Sequence, residues 1–425
     1  MSWLAALSIL TAAGRPPQVM TIDVRPGGPT QDILAGTTFG PLVSHDGGTT
    51  WSWYCPQAVG YGGLYDPDYA YSASGTMFAP TFNGFAASRD GCTFAPTTLG
   101  TTFVSVDALG SDGALHVAAS DPADAKIYTS TDDGMTFPTM ASPGVANDWW
   151  DSLRVAPSDP MRVYLSGYRL AATTKTFLVF ASTTGGASFA ALPTTDFVTS
   201  NNSTIDIAGV DPTSPDIVYA HVTIEDGNIG DGIYRSDNAG QSWTKILDKQ
   251  DPLGLAFLVR GNGDLVAGTQ SGGLVVSHDR GATWSDVACS PHPTCLVEAS
   301  GVVWACSHEF AGPSVVGDGY AIMKSADLAS WVGVLHFRDI VGPVACPAGT
   351  VQHDTCAPAW PNEQAQLAGS SAPPLCPVVP DAGAIAPDAM TPPVMHEPGG
   401  CCSTGTGGGS ALLAGLVVIV LRRRR

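Results

Sequence analysis

The sequence predicts an all-β chain folded as a seven-bladed β-propeller. Three observations lead there. A motif, Ser-x-Asp-x-Gly-x-Thr followed by Trp or Phe, recurs seven times with some degeneracy. The first residues of the copies stand 44, 42, 52, 54, 41 and 48 residues apart, a period near 47, which is the length of a propeller blade. The composition agrees: of 38 acidic residues only 5 are Glu, charged residues make up 13% of the chain, and it holds 49 Gly and 33 Pro. A long helical bundle needs Glu, Lys and Arg in quantity, whereas Asp, Gly, Pro, Ser and Thr belong to turns and strand edges.

In chain order, the first element is apolar. Met1 to Gly14 ends in small residues, as a secretory h-region and cleavage site do, so residues 1–16 are expected to be a signal peptide. The repeats follow over residues 17–342: Ser44–Trp51, Ser88–Phe94, Ser130–Phe137, Ser182–Phe189, Ser236–Trp243, Ser277–Trp284 and Ser325–Trp331. Each copy has the logic of a hairpin. An apolar run such as Gly273-Leu-Val-Val-Ser277 enters as a strand, Asp accepts hydrogen bonds from the turn's N–H groups, and Gly takes backbone angles other residues avoid. Thr starts the return strand and the aromatic ring buries between neighbouring sheets. One such sheet cannot bury both faces alone, so the copies must stack around an axis. The turn carboxylates Asp46, Asp90, Asp132, Asp279 and Asp327 are therefore expected to be structural; one Asp per turn supplies too few oxygens for calcium.

Past the last repeat, residues 343–376 carry Cys and Pro and are expected to form a disulfide-tied cap, and residues 377–400, rich in Pro, Ala and Asp, an extended linker. The end of the chain, residues 401–425, joins Cys401 and Cys402 to a Gly/Ser/Thr stretch, an apolar core from Ala411 to Leu421 and four Arg. The stretch from Ser403 reaches about the minimum length of a membrane span, and the Arg run holds its end on the cytoplasmic side. Export in turn makes disulfides the expected state of the eight upstream cysteines. Cys55 and Cys92 stand apart from the rest and form the natural first pair. Cys289 and Cys295 flank a short loop that reads as a second disulfide rather than a zinc site, since beside the two thiols and His292 no fourth ligand is evident.

These repeats resemble the Asp-box, or bacterial neuraminidase, repeats of sialidase-like and sortilin-like propellers, and the strand signature Asp216-Ile-Val-Tyr-Ala220 fits the same pattern. The resemblance covers about four-fifths of the chain and implies the fold; it implies little about activity. Residues 400–425 resemble the myxobacterial C-terminal sorting tag. That resemblance implies a surface protein handled by envelope sorting machinery, with Cys401 and Cys402 as the processing or lipid-attachment point.

The net charge is −19, and −23 without Arg422 to Arg425, which argues against nucleic-acid partners. Sialidase chemistry is not expected either. The family's N-terminal Arg-Ile-Pro signature is absent, Glu is scarce, and Arg89, Arg235 and Arg280 lie in or beside the repeats. The carboxylates best placed for glycoside hydrolysis are Asp151 and Asp206, which occupy matching places where the innermost strands of adjacent blades begin. Trp149 and Trp150 beside Asp151 suit a sugar platform, and Trp53, Tyr54, Tyr61 and Tyr65 read as a binding loop between the first two blades. No metal or cofactor is expected, because no zinc signature or phosphate loop is present. The leading expectation is a surface-displayed, non-catalytic propeller that binds an extracellular glycan or protein; the second is a glycoside hydrolase working at the channel mouth.

Overall fold

The computed structural model describes residues 16–374, apart from 28–31, 63–65, 82, 122–123, 224–230, 250–254 and 313–314. Among the described residues the strands form seven sheets, six of four strands and one of five. Each four-stranded sheet is built from consecutive strands, and the five-stranded one from the first four strands and one added from the C-terminal segment. In the fourth blade these are Asp148–Ala156, Asp159–Ala171, Thr174–Ser182 and Ala190–Ala191. The first strands of successive blades lie side by side around the centre, so the structure is an all-β seven-bladed propeller.

Strand alternation explains why the core is divided. Successive side chains point to opposite faces of a sheet, so each blade sends one set to the blade before it and the other to the blade after it. The buried apolar residues accordingly fall into seven clusters, one per seam between neighbouring blades. The fourth blade shows the division: Leu153, Val163, Leu165 and Phe180 face the third blade, while Ala156, Tyr164 and Val179 face the fifth.

The seventh and first blades meet without a continuous chain between them. There Thr294 Oγ1 donates to the Val19 carbonyl at 2.9 Å. The C-terminal segment then returns across the outside of the first blade. Gly342–Pro343 adds a fifth strand, parallel to Ser52–Trp53. Gln352 Nε2 donates to the Trp53 carbonyl at 2.7 Å, and Trp360 of the helix Ala357–Leu367 packs on Trp53 with ring centroids 5.3 Å apart.

Two disulfides fasten this strap, and they correct the expected pairing. Cys55 bonds Cys356 and Cys92 bonds Cys346, rather than Cys55 bonding Cys92. Cys55 ends the outer edge of the first blade, where the strap arrives, and Cys92 lies in the turn of the second blade, where the strap passes. The expected Cys289–Cys295 loop is also replaced: Cys295 pairs with Cys306, directly opposite it on the neighbouring strand, and Cys289 is a free, exposed thiol. Three disulfides mark a chain that folds in an oxidising compartment, as an exported protein does. No helix among the described residues is long and apolar enough to cross a membrane. Residues 1–15, the linker over 377–400 and the tag with Cys401 and Cys402 lie outside the described residues.

The strap disulfides close chain loops of 301 and 254 residues. The double variant Cys55→Ser/Cys356→Ser is expected to lose about 2–5 kcal/mol of stability, measured by denaturant unfolding, because long loops gain most from a cross-link.

Candidate functional site

The repeated turns join the third and fourth strands of each blade, and their polar groups serve the turn itself. In the third blade Ser130 Oγ donates to Asp132 at 2.7 Å, Thr136 N at 2.8 Å and Thr136 Oγ1 at 2.6 Å. Asp279 accepts the same three bonds from Ser277 and Thr283. Asp46, Asp90 and Asp327 accept backbone N–H bonds of their own turns. In the fifth blade Asn238 stands in for Asp, and in the fourth Thr184 does. The Thr136 and Ser130 bonds hold the Asp132 carboxyl down at about 2, and those of Thr283 and Ser277 do the same for Asp279. The glycine is required by close approach: at Gly134, φ +71°, a Cβ would stand 2.8 Å from the Phe78 ring.

Most of the expected aromatic platform is core, which is a correction. Trp53, Tyr54 and Tyr61 are buried. Trp53 Nε1 donates to the Phe39 carbonyl, Tyr54 packs on Phe94 and donates to the Gly91 carbonyl, and Tyr61 accepts from Tyr69. The reason is the strap and the seam between the first two blades, which these residues fill. Trp150 likewise turns into the seam between the third and fourth blades, against Phe180. Tyr65 lies outside the described residues.

Trp149 has the other fate. It is half-buried, directly opposite Tyr168, which in turn stands opposite Phe177 on the next strand. Directly paired side chains share a face, so the three rings form a ladder across the fourth blade. Phe103 meets Trp149 edge-on at 5.8 Å, and Lys175 Nζ sits 4.1 Å from the Tyr168 ring centre while donating to the Ser203 carbonyl. All four rings remain half-buried. The ladder rides on the 13-residue strand Asp159–Ala171, the longest among the described residues, whose end is exposed at Leu170, Ala171 and Ala172. A sequence signal was present in the β-branched and aromatic runs Val163-Tyr-Leu165 and Phe177-Leu-Val-Phe180, but only pairing register shows that the rings line up.

Asp151 and Asp206 lie inside, not at the start of, the first strands Asp148–Ala156 and Thr204–Val210. Asp151 is the extra residue of a bulge, skipped between the pairs Trp150–Gly167 and Ser152–Ser166. The blades bring the two neighbourhoods together, since Ile207 N donates to Ser152 Oγ. Asp206 is 2% exposed and faces His221 across the strand pair, while His221 Nε2 meets Asp231 at 3.0 Å. A carboxylate so deeply enclosed offers no approach to a sugar and a water together.

Sequence reasoning missed other carboxylates of the central strands. Asp23 lies on Val19–Val24, Asp107 on Val104–Leu109, and Asp68 just before Ala70–Tyr71. Asp23 accepts from Tyr71 N. Burial, opposed by that bond and helped by repulsion from Asp68, pushes Asp23 up to about 7. Burial and then repulsion from Asp68 and Asp23 raise Asp107 well above the carboxylate range. A signal existed: Thr21-Ile-Asp23 and Thr204-Ile-Asp206 are the same tripeptide on two central strands.

One further constellation has the composition of a nucleophilic triad and fails on geometry. Ser371 Oγ donates to Glu309 at 2.7 Å, but both Ser371 and Glu309 meet the same ring nitrogen of His336, Nδ1. A relay needs the acid and the nucleophile on opposite nitrogens. Glu309 instead anchors the strap, accepting also from Phe337 N. Among the described residues no group of three or more His, Cys, Asp or Glu is arranged to hold a metal.

The fold and this site define a β-propeller with a half-open aromatic face. No family model and no curated protein matches the sequence. Among solved structures the chain is similar to the extracellular domain of a putative one-component system of B. thetaiotaomicron, at 15% identity and TM-score 0.47, over 69% of this chain and 37% of that one. It is similar to YCF48 from Cyanidioschyzon merolae, at 13% identity and TM-score 0.45, over 68% and 92% of the two chains. It is also similar to the xyloglucanase of Xanthomonas campestris, at 15% identity and TM-score 0.34, over 75% and 71%. The likeness is one of fold, and the chain covers little more than a third of the B. thetaiotaomicron chain.

The two kinds of Asp predict a two-sided pH profile. The Asp132 and Asp279 bonds contribute stability above the unfolded value of 3.8 and lose it as pH falls through about 2. Asp23 works oppositely: its proton is retained in the fold and lost from the unfolded chain, so stability falls as pH rises from 3.8 to about 7. Melting temperature is expected to be highest between these limbs, and Asp23→Asn is expected to make the upper limb shallower, with Asp107 still contributing to it, and to leave the lower limb unchanged. An unchanged upper limb in that variant contradicts the assignment.

Proposed function

We propose that this chain is an exported, non-catalytic propeller of the Asp-box class that binds an extracellular glycan or protein through the aromatic ladder of its fourth blade. The observation that carries the reading is the contrast among the aromatic residues. Trp53, Tyr54, Tyr61 and Trp150 are core, whereas Trp149, Tyr168 and Phe177 keep ring surface open in a row on the longest hairpin. Rings with a rigid backing give contact area at little entropic cost, which is what recognition sites use. Tyr168 contributes as a neutral ring, since burial and then the nearby Asp151 push its hydroxyl up to about 12. The proposal includes display at the envelope: residues 401–425 as a sorting tag, Cys401 and Cys402 as its processing or attachment point, and residues 377–400 as the spacer that sets the propeller away from the membrane.

A glycoside hydrolase is the second reading, favoured by one observation, the adjacency of the Asp151 and Asp206 strands. Burial of Asp206 weighs against it.

The test is a glycan array and a pull-down of envelope proteins with the full-length chain and with Trp149→Ala/Tyr168→Ala. Loss of the two rings is expected to weaken binding by about 2 kcal/mol, the cost typical of an aromatic anchor, with little change in melting temperature. Binding that survives the double variant rules out the ladder. Release of reducing ends from an arrayed polysaccharide, abolished by Asp206→Asn, would favour the hydrolase.

A further inference from the structure

The outer edge of the fourth blade is only partly covered. Its third strand, Thr174–Ser182, is nine residues long, but its fourth, Ala190–Ala191, pairs with Phe180 and Ala181 alone. The cause is local. Pro193 cannot donate to a strand ladder, and past it Phe197 is drawn into the seam with the fifth blade, against Tyr234 and Trp243. In the fifth blade, by contrast, the third strand is paired with the fourth from Asp231 to Arg235.

On a strand edge every second residue turns its N–H and C=O outward. Two bonds fix the phase here. The Val179 carbonyl accepts from Leu192 N at 2.8 Å, and Lys175 N donates to Asn201 Oδ1 at 3.3 Å. Phe177 stands midway, so its N–H and C=O also point outward, and among the described residues neither has a partner. Thr174 and Thr176 are exposed, so the edge is reached from solvent. The Asn201 side chain closes the edge at the hairpin tip, since its Nδ2 also donates to the Thr173 carbonyl at 3.1 Å. What is left is one residue's donor and acceptor, on the line the outer strand would follow had it continued past Leu192. An uncovered edge is a template for another chain. This one carries Phe177, the outermost ring of the aromatic ladder.

We infer that the ligand of the ladder is a polypeptide, an extended segment of which adds to this edge at Phe177. The inference rests on the ladder being the binding face and names which of the two ligand classes it takes. A residue of an antiparallel strand exchanges both N–H and C=O with the residue opposite it, and that is the pair of groups Phe177 presents. A sugar hydroxyl offers no such fixed pair. Directly paired side chains share a face, so the ligand residue opposite Phe177 sets its side chain beside that ring. The segment suited to this place has a β-branched or aromatic residue there, and proline is excluded from it. The backbone bonds supply affinity, and the ladder selects the side chain.

The experiment uses the full-length chain and two bead libraries of random heptapeptides, identical except that one is N-methylated at every residue and so has lost its backbone donors. The chain is expected to retain the unmethylated library and to bind the methylated one about fivefold or more weakly. Phe177→Ala removes the ring and keeps the outward N–H. Phe177→Pro removes both, at an edge position where the missing N–H breaks no bond to the neighbouring strand. Phe177→Pro is expected to bind the unmethylated library about fivefold or more below Phe177→Ala, with a similar melting temperature. Should the proline variant melt lower, the comparison of libraries on the unaltered chain decides. Equal retention of the two libraries, or equal binding by the two variants, would overturn the inference. Retention of arrayed glycans but not of peptides, lost in Trp149→Ala/Tyr168→Ala, would overturn it while leaving the ladder as the binding face. Retention of neither would remove the ladder reading along with it. A dimer in sedimentation velocity that Phe177→Pro disperses and Phe177→Ala does not would give the edge to a second copy of the chain instead.

Discussion

Everything in this propeller depends on closing the ring at the seam between its seventh and first blades. Each sheet is two-sided, and its two faces complete two different cores. A seam that opens exposes apolar faces on two blades at once, and those blades then hold their other neighbours less well. Six seams are bridged by the chain as it passes from one blade to the next. The seventh has only side chains and the strap, which explains why its cluster is the one that recruits Cys356, Trp360 and Leu367 from beyond the last blade.

The parts of the fold legible in the sequence are those governed by local chemistry. The Ser130–Asp132–Thr136 turn can be read from eight residues because its hydrogen bonds close within four positions and its glycine sits at positive φ. The blade count follows from repeating that turn. The disulfides could not be read the same way. Cys55 finds Cys356 because of the path the C-terminal segment takes over the outer strand, and spacing along the chain carries no record of that path. The aromatic residues divide for the same reason. Trp149 and Trp150 are neighbours with different burial, and alternation along a strand sends them to opposite faces, though only the register and the neighbouring blades show which face is covered. Asp23 and Asp107 escaped notice because each looks ordinary in its own strand; their peculiarity is mutual and exists only once the blades meet.

The acidic residues thus belong to two physical populations. At the blade periphery each carboxylate is exposed, saturated with donors and held ionised. At the centre Asp23 and Asp107 are crowded by other carboxylates, and burial raises the pKa of both. The same side chain stabilises the chain in one setting and strains it in the other, and a propeller that used Asp only for its turns would have no reason to carry the second population.

The strap also governs how the protein answers to mechanical load. If the propeller is tethered through its C-terminal end, a pull enters the chain beyond Leu367 and meets the Cys356–Cys55 bond first. Behind that bond lie 301 residues of closed loop, so tension passes by a covalent route into the outer edge of the first blade and never peels the seventh blade away strand by strand. The length that force can draw out is limited to residues outside that loop, those after Cys356 and those before Cys55. A tethered receptor built this way would keep its binding faces intact under shear, and would yield only where a reductant reaches the sulfurs.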